Sequence, residues 1–357
     1  MTPRATGIDL FPTRVSERTT WLFVRLSTNV GVTGVGEALF RPRPSRADSP
    51  RPEFPELAQF YDLASESLSV SAYRDAGWAR ALRGDIRMRT AFSAIEQALW
   101  DIRGKLEGVP VHELLGGRVR DLVGVYANIN RMTVERRPAA FARSAELARE
   151  AGFKAVKAAP FDGFPSARAG VEAVEAATSA GVDAMFAIRE AAGSSIAVKV
   201  DCHSHFDHDR AVSVANRLEP VDLDWFEEPL PVTDVQGPRS LRGEIPQRLA
   251  GGESLFGREE FAPLIGTEGG HDLGPAVDVV MPDVMLCGGV LEMLHIARAA
   301  GERSVSVSPH NACGPVARAG RRGGWGGPPR AARRRPQRGG FSLRNYGEDK
   351  PEGGAGR

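Results

Sequence analysis

Three stretches decide the fold: Ile196-Ala-Val-Lys-Val-Asp201, Leu223-Asp-Trp-Phe-Glu227-Glu228-Pro229 and Arg248-Leu-Ala-Gly-Gly-Glu253. Each is a short apolar run that closes on a carboxylate, and residues 201, 227 and 253 recur at intervals of 26. Working outward, further apolar runs begin near Val123, Ala155, Val277 and Val305, with helical segments such as Pro138 to Ala151 and Ala211 to Leu218 between runs. Seven strand–helix repeats predict a parallel α/β sheet. That is more units than most open sheets carry, so a (β/α) barrel of the TIM type is expected, with its chemistry at the C-terminal strand ends.

The first 120 residues read as an α+β unit. Trp21, Phe23, Arg25 and Ser27 share one strand face, and Leu22, Val24 and Leu26 share the other. Thr28 to Gly31 supplies a turn and Val32 to Phe40 a returning strand. The Pro-rich Arg41 to Pro55 is too irregular for an element. Between Met88 and Leu106, Ala91, Ile95, Ala98, Leu99 and Ile102 recur at helical spacing, with Gly104 near the end.

Length and composition bound the function. A chain of 357 residues that is 42% hydrophobic and 25% charged suits about two globular domains. Its net charge of +1 argues against a polyanion partner. Three cysteines without a CxxC spacing exclude a disulfide scaffold and a thiolate zinc site. No apolar run reaches the ~20 residues of a membrane span, and Met1 to Leu10 lacks a signal-peptide core. A soluble, cytoplasmic protein is expected.

In a barrel, Asp201, Glu227 and Glu253 would converge on one mouth. Three close carboxylates repel, and a divalent cation is the simplest compensation. Oxygen ligands favour Mg²⁺ or Mn²⁺ over zinc. One acid alone would more often cap a helix; three on consecutive strands at equal spacing outweigh that reading. Val277 to Met281 leads into Pro282-Asp283, and Ser304 to Ser308 into Pro309-His310. Neighbouring strand ends would thus carry a dyad in which Asp283 fixes the tautomer of His310, a general base. Lys157 shares a face with Ala159 and is expected inward, with Lys154 outward; an inward ammonium would stabilise developing negative charge. Residues 201–208 hold three of the seven histidines. By alternation His203 shares the face of Asp201 and is placed in the site, with His205 and His208 solvated.

These residues resemble the enolase superfamily, specifically its mandelate racemase-like group of sugar-acid dehydratases. The resemblance runs from about Trp21 to Ala317 through Gly34-Val-Gly-Glu37, Ala98-Leu-Trp-Asp-Ile-Arg-Gly-Lys105, Leu114-Leu-Gly-Gly117, Phe226-Glu-Glu-Pro229, Gly251-Gly-Glu253, Met281-Pro-Asp283 and Gly288-Gly289. It implies a capping domain at 1–120 and a barrel at 121–317, with specificity loops at Phe11 to Thr20 and Arg41 to Pro55. It makes Asp201, Glu227 and Glu253 ligands of Mg²⁺, and His310, paired with Asp283, the base that removes the proton α to a carboxylate. Lys157 matches the first lysine of a Lys-x-Lys pair whose second position is Ala159. With one base rather than two, dehydration of an aldonate or aldarate to a 2-keto-3-deoxy acid is expected, His203 protonating the departing hydroxyl. Racemisation, epimerisation and cycloisomerisation are the alternatives in the same site. The resemblance also implies a homo-oligomer, an octamer among such assemblies.

After Ala317 the pattern breaks. Residues 318–357 contain eleven Lys or Arg and three acids, a net of +8, which leaves the first 317 at −7. Arg318 to Gly340 holds eight Arg, seven Gly and three Pro, a composition that supplies no core strand and matches GC-rich codons read out of frame. We read 318–340 as frameshifted sequence, with a genuine structural role as the alternative. A barrel left open there would impair catalysis. A nucleic-acid binder, through the basic tail and Trp325, is the competing class; the acidic body and single interleaved aromatic weigh against it.

Overall fold

The computed structural model describes residues 2–16, 19–39, 54–268, 271–311 and 314–316. These fall into two compact units, one from the described residues of 1–121, 252–271 and 280–316, the other from 122–251 and 272–279. The tail beyond residue 316, with the frameshift reading and Trp325, lies outside the described residues.

The chain opens with an antiparallel sheet of β1 (Ala5–Ser16), β2 (Thr19–Thr28) and β3 (Thr33–Ala38), in that order. In β2 Leu22, Val24 and Leu26 are buried while the alternate residues face outward, as the period of two requires. Strand β1 carries no apolar alternation, being mostly exposed, and is paired with β2 nonetheless. Of the expected loop at Phe11 to Thr20, Phe11 to Ser16 belong to β1 and Thr19 and Thr20 to β2 instead: Phe11 pairs with Phe23 and Thr13 with Trp21. Of the Pro-rich segment, 41–53 lie outside the described residues, and Pro55 opens a helix.

Helices α1 (Pro55–Glu66), α2 (Val70–Leu82), α3 (Ile86–Glu107) and α4 (Val111–Leu114) follow. α3 starts two residues ahead of Met88 because the Asp85 side chain accepts from the amides of Arg87 and Met88, and it ends on Gly108 in the left-handed region. Gly34 and Gly36 let β3 lie against α3; a Cβ at either would overlap the carbonyl oxygen of Ala98 or Ala94.

Strands and helices then alternate: β4 (Ala127–Asn128), α5 (Pro138–Glu150), β5 (Ala155–Ala158), α6 (Val171–Ala192), β6 (Ala197–Asp201), α7 (His208–Arg217), β7 (Leu223–Glu227), α8 (Gln236–Glu244) and β8 (Leu249–Gly251). The strands are parallel and lie in chain order. The strand expected near Val123 begins at Ala127 instead, because residues 122–125 are exposed and Ala127 and Asn128 are the ones that reach Val156 and Lys157. All of β5 is buried, as in a sheet covered on both faces. Register sets Lys157 beside Lys199, Lys199 beside Trp225 and Asp201 beside Glu227.

The remaining elements are α9 (Gly257–Ile265), β9 (Thr267–Glu268), β10 (His271–Asp272), β11 (Val279–Val280), α10 (Val290–Glu302) and β12 (Ser306–Val307). Both late strands are shorter than their apolar runs. Within the second unit the Asp278 amide donates to the Leu249 carbonyl at 2.8 Å. Within the first, the amides of Ser308 and His310 donate to the carbonyls of Val280 and Pro282 at 3.0 Å each, so the segment leading to His310 runs beside the one leading to Asp283. Among the described residues no helix is long and apolar enough to cross a membrane.

Candidate active site

In the second unit the strand ends gather one cation and two anions. Lys157 is 1% exposed, and its Nζ donates to Asp201 Oδ2 at 2.9 Å and Glu227 Oε1 at 2.5 Å. Trp225 Nε1 donates to the other Glu227 oxygen at 3.0 Å. Burial disfavours the ammonium, but Glu227, Tyr126 and Asp201 outweigh it and hold Lys157 well above the usual lysine range. Burial likewise opposes the Asp201 carboxylate, and Lys157 and His203 outweigh it, lowering its pKa. The expected inward Lys157 and outward, exposed Lys154 are both as the alternation has them.

Lys199, the register partner of Lys157, is set in different company. It pairs with Asp224 and lies 4.3 Å from the Trp225 ring centre, and burial lowers its pKa. The Tyr126 ring centre lies 5.7 Å from Lys157 Nζ and 5.8 Å from Lys199 Nζ.

His203 lies at Asp201, though not through strand alternation. β6 stops at Asp201, and His203 and Ser204 adopt φ of 46° and 58°. This left-handed turn is held by the His203 amide on Asp201 Oδ1 at 3.2 Å and the Ser204 amide on the Glu228 carbonyl at 2.7 Å. It leaves His203 Nε2 3.4 Å from Asp201 Oδ2, with Nδ1 2.6 Å from Asp162 Oδ1. Asp162 carried no signal in the sequence: it sits in a loop past β5 with no motif around it. His205 is exposed and stacks on Phe164, the ring centres 6.0 Å apart. His208 is not simply solvated, because Nε2 lies 3.1 Å from a Glu244 carboxylate oxygen. Ala159, at the second position of the Lys-x-Lys pair, is buried.

In the first unit Glu253, Asp283 and His310 come together. His310 Nδ1 lies 2.7 Å from Asp283 Oδ2, and Nε2 lies 3.0 Å from Glu253 Oε2. Asp283 is 1% exposed. Its Oδ1 accepts from the Met285 amide at 2.8 Å, and its carbonyl accepts from the amides of Leu286 and Cys287. The carboxylate is thus fixed by its own turn, and it fixes the imidazole in turn.

Residues 8–116 match the mandelate racemase / muconate lactonizing enzyme N-terminal domain, and residues 140–321 match the enolase C-terminal domain-like family. Over 300 residues the chain is 32% identical to D-galactonate dehydratase of Ralstonia pickettii (strain 12J), covering 83% of this chain and 73% of that one. Over 227 residues it is 37% identical to D-gluconate dehydratase of Thermoproteus tenax; that match covers 64% of this chain and spans less than half, 43%, of the relative. Both relatives are by name dehydratases, which are lyases. The crystal structure of mandelate racemase/muconate lactonizing enzyme from Jannaschia sp. CCS1 superposes with a TM-score of 0.77 at 25% identity, covering 91% of this chain and 85% of that one. The expected fold class, an α+β N-terminal part followed by a parallel barrel-type sheet, is the one these relatives share. Matched in order by both domain families, the chain belongs to the mandelate racemase/muconate lactonizing enzyme family of the enolase superfamily, as its motifs implied.

Proposed function

We propose that the chain is a Mg²⁺-dependent acid-sugar dehydratase that removes the proton α to the carboxylate of an aldonate or aldarate and expels the 3-hydroxyl. The observation that carries this reading is the setting of His310, between the buried Asp283 carboxylate and Glu253. A base oriented by one carboxylate then stands beside another that is suited to a cation. The proposal takes residues 1–120 as capping domain and 121–317 as barrel, in a cytoplasmic homo-oligomer.

Asp201 and Glu227 end neighbouring strands, and Glu253 lies two residues past β8, the next strand along. All three offer hard oxygen donors, and the two on β6 and β7 are buried, a set that fits Mg²⁺ (or Mn²⁺) and not zinc. These residues would hold the cation, which when bound supplies positive charge against the substrate carboxylate. His310 Nε2 takes the C2 proton. The Lys157 ammonium, kept charged by its neighbours, faces the negative charge that develops. His203 gives a proton to the departing 3-hydroxyl, which leaves as water, and the resulting enol tautomerises to a 2-keto-3-deoxy acid. Racemisation and epimerisation need a second base, and the small aliphatic Ala159 stands where the family's second lysine would be.

The test is a screen of the purified chain with Mg²⁺ against mono- and diacid sugars, with 2-keto acid detected by semicarbazide. Keto acid from one of them, lost in His310→Asn while Mg²⁺ still binds, is the expected result. A C2 epimer formed without keto acid would overturn dehydration in favour of epimerisation.

A further inference from the structure

The loop that follows β5 carries a carboxylate for which the proposed reaction has so far no use. Asp162 Oδ1 lies 2.6 Å from His203 Nδ1. The other oxygen, Oδ2, accepts from Asn130 Nδ2 at 2.7 Å and lies 3.4 Å from Arg136 Nη2. Those two donors are themselves anchored. Arg136 Nη1 donates to Asn130 Oδ1 at 2.9 Å, the Ala159 amide donates to the same oxygen at 3.1 Å, and Arg136 Nη2 donates to the Ala159 carbonyl. One oxygen is thus tied through side chains to the end of β5, and the other is aimed at the imidazole.

His203 itself sits in the left-handed region, φ 46°, which a residue with a Cβ occupies only where its surroundings hold it there. The bonds that hold it are the Asp201 carboxylate on its amide and Asp162 on its ring. We infer that Asp162 is a positioning residue for His203: it holds the Nδ1–H tautomer and turns Nε2 toward Asp201, so that the proton delivered to the leaving hydroxyl comes from Nε2. The inference rests on the dehydratase reading for the proton's destination, and on geometry alone for the tautomer. In the transfer, the Nε2–H bond breaks, the departing oxygen gains that proton, and the imidazolium becomes the neutral Nδ1–H imidazole that Asp162 accepts from.

An exposed pair of this kind, with both side chains more than a third accessible, contributes little to stability, so the readout has to be orientation. In Asp162→Ala, keto-acid formation should fall ~10- to 100-fold in kcat, with KM little changed, the scale for losing a group that orients a reacting histidine. Exchange of the C2 hydrogen with deuterated solvent, which needs His310 but not His203, should continue, raising the ratio of exchange to elimination. Asp162→Asn, whose single oxygen stays with the Asn130 and Arg136 donors so that its NH2 faces Nδ1, should lose about as much as Asp162→Ala. Long-range ¹H–¹⁵N spectra should place the His203 proton on Nδ1 in the wild type and on Nε2 in Asp162→Asn. Unchanged kcat in Asp162→Ala, or an Nε2–H tautomer in the wild type, would overturn the inference. If no sugar acid is turned over, the dehydratase reading fails, and the spectra still decide whether Asp162 sets the tautomer.

Discussion

Two aspartate–histidine pairs, Asp283–His310 and Asp162–His203, close at nearly the same distance, 2.7 and 2.6 Å, yet their settings differ. Asp283 and His310 are 1% and 15% exposed at the side chain, whereas Asp162 and His203 are 37% and 38% exposed. The buried aspartate is oriented by a backbone amide of its own turn, Met285. The exposed one is oriented by the side chains of Asn130 and Arg136. A hydrogen bond in a dry surrounding is electrostatically stronger than the same bond near water. The buried pair therefore suits a base that must hold one orientation through the hard proton abstraction. The open pair suits an acid that meets a leaving group and then regains its proton from solvent.

The comparison can be broken most directly at His310. With His310→Asn, turnover should fall by ~10⁴-fold, at the upper end of what a positioned base contributes, together with C2 hydrogen exchange; steady-state rates and deuterium incorporation measure both. Asp283→Asn should cost nearly as much, up to ~10⁴-fold in kcat, because the imidazole remains but its preferred tautomer is lost. His203→Ala separates the pairs: elimination should drop by roughly 100-fold while C2 exchange persists, a pattern His310 variants cannot give. Equal loss of both activities in His203→Ala would mean that the two pairs do not divide acid from base.

The smallest effect concerns acid stability. Burial opposes ionisation of Asp162, but its bonds to His203 and Asn130 and the charges of His203 and Arg136 outweigh this and lower its carboxyl pKa. A carboxyl lowered on folding adds stability above its unfolded pKa, ~3.9 for Asp, and loses it as pH falls through the folded value. The difference in urea midpoint between the wild type and Asp162→Asn should narrow as pH falls below ~3.9. A difference that does not narrow would mean the pair gains nothing from the charge.

How much could be read beforehand varies by element. Strands β6 and β7 were found within a residue of their ends, since each is an apolar run closed by an acid and buried on both faces. The N-terminal edge strand β1 was missed, because an edge strand with one lateral partner and mostly exposed residues has no periodicity to display. Helices α1 and α2 went unassigned beside the Pro-rich segment, although Pro55 at the first turn and the Ser69 cap mark their starts. Alternation puts His203 beside Asp201, but the strand stops two residues earlier, at Asp201; a left-handed turn brings His203 there instead.

The sequence by itself determined which carboxylates close which strands, that Lys157 points inward and that Ala159 stands where a second lysine would be. Period-two alternation and strand-end chemistry are local, so neighbouring residues suffice to state them. Only the tertiary structure decided that Asp162, 41 residues before His203, shares a hydrogen bond with it. Loops after two adjacent strands bring those residues together, and the meeting depends on a left-handed turn and two anchoring side chains from a third segment. No spacing rule along the chain encodes a contact made that way.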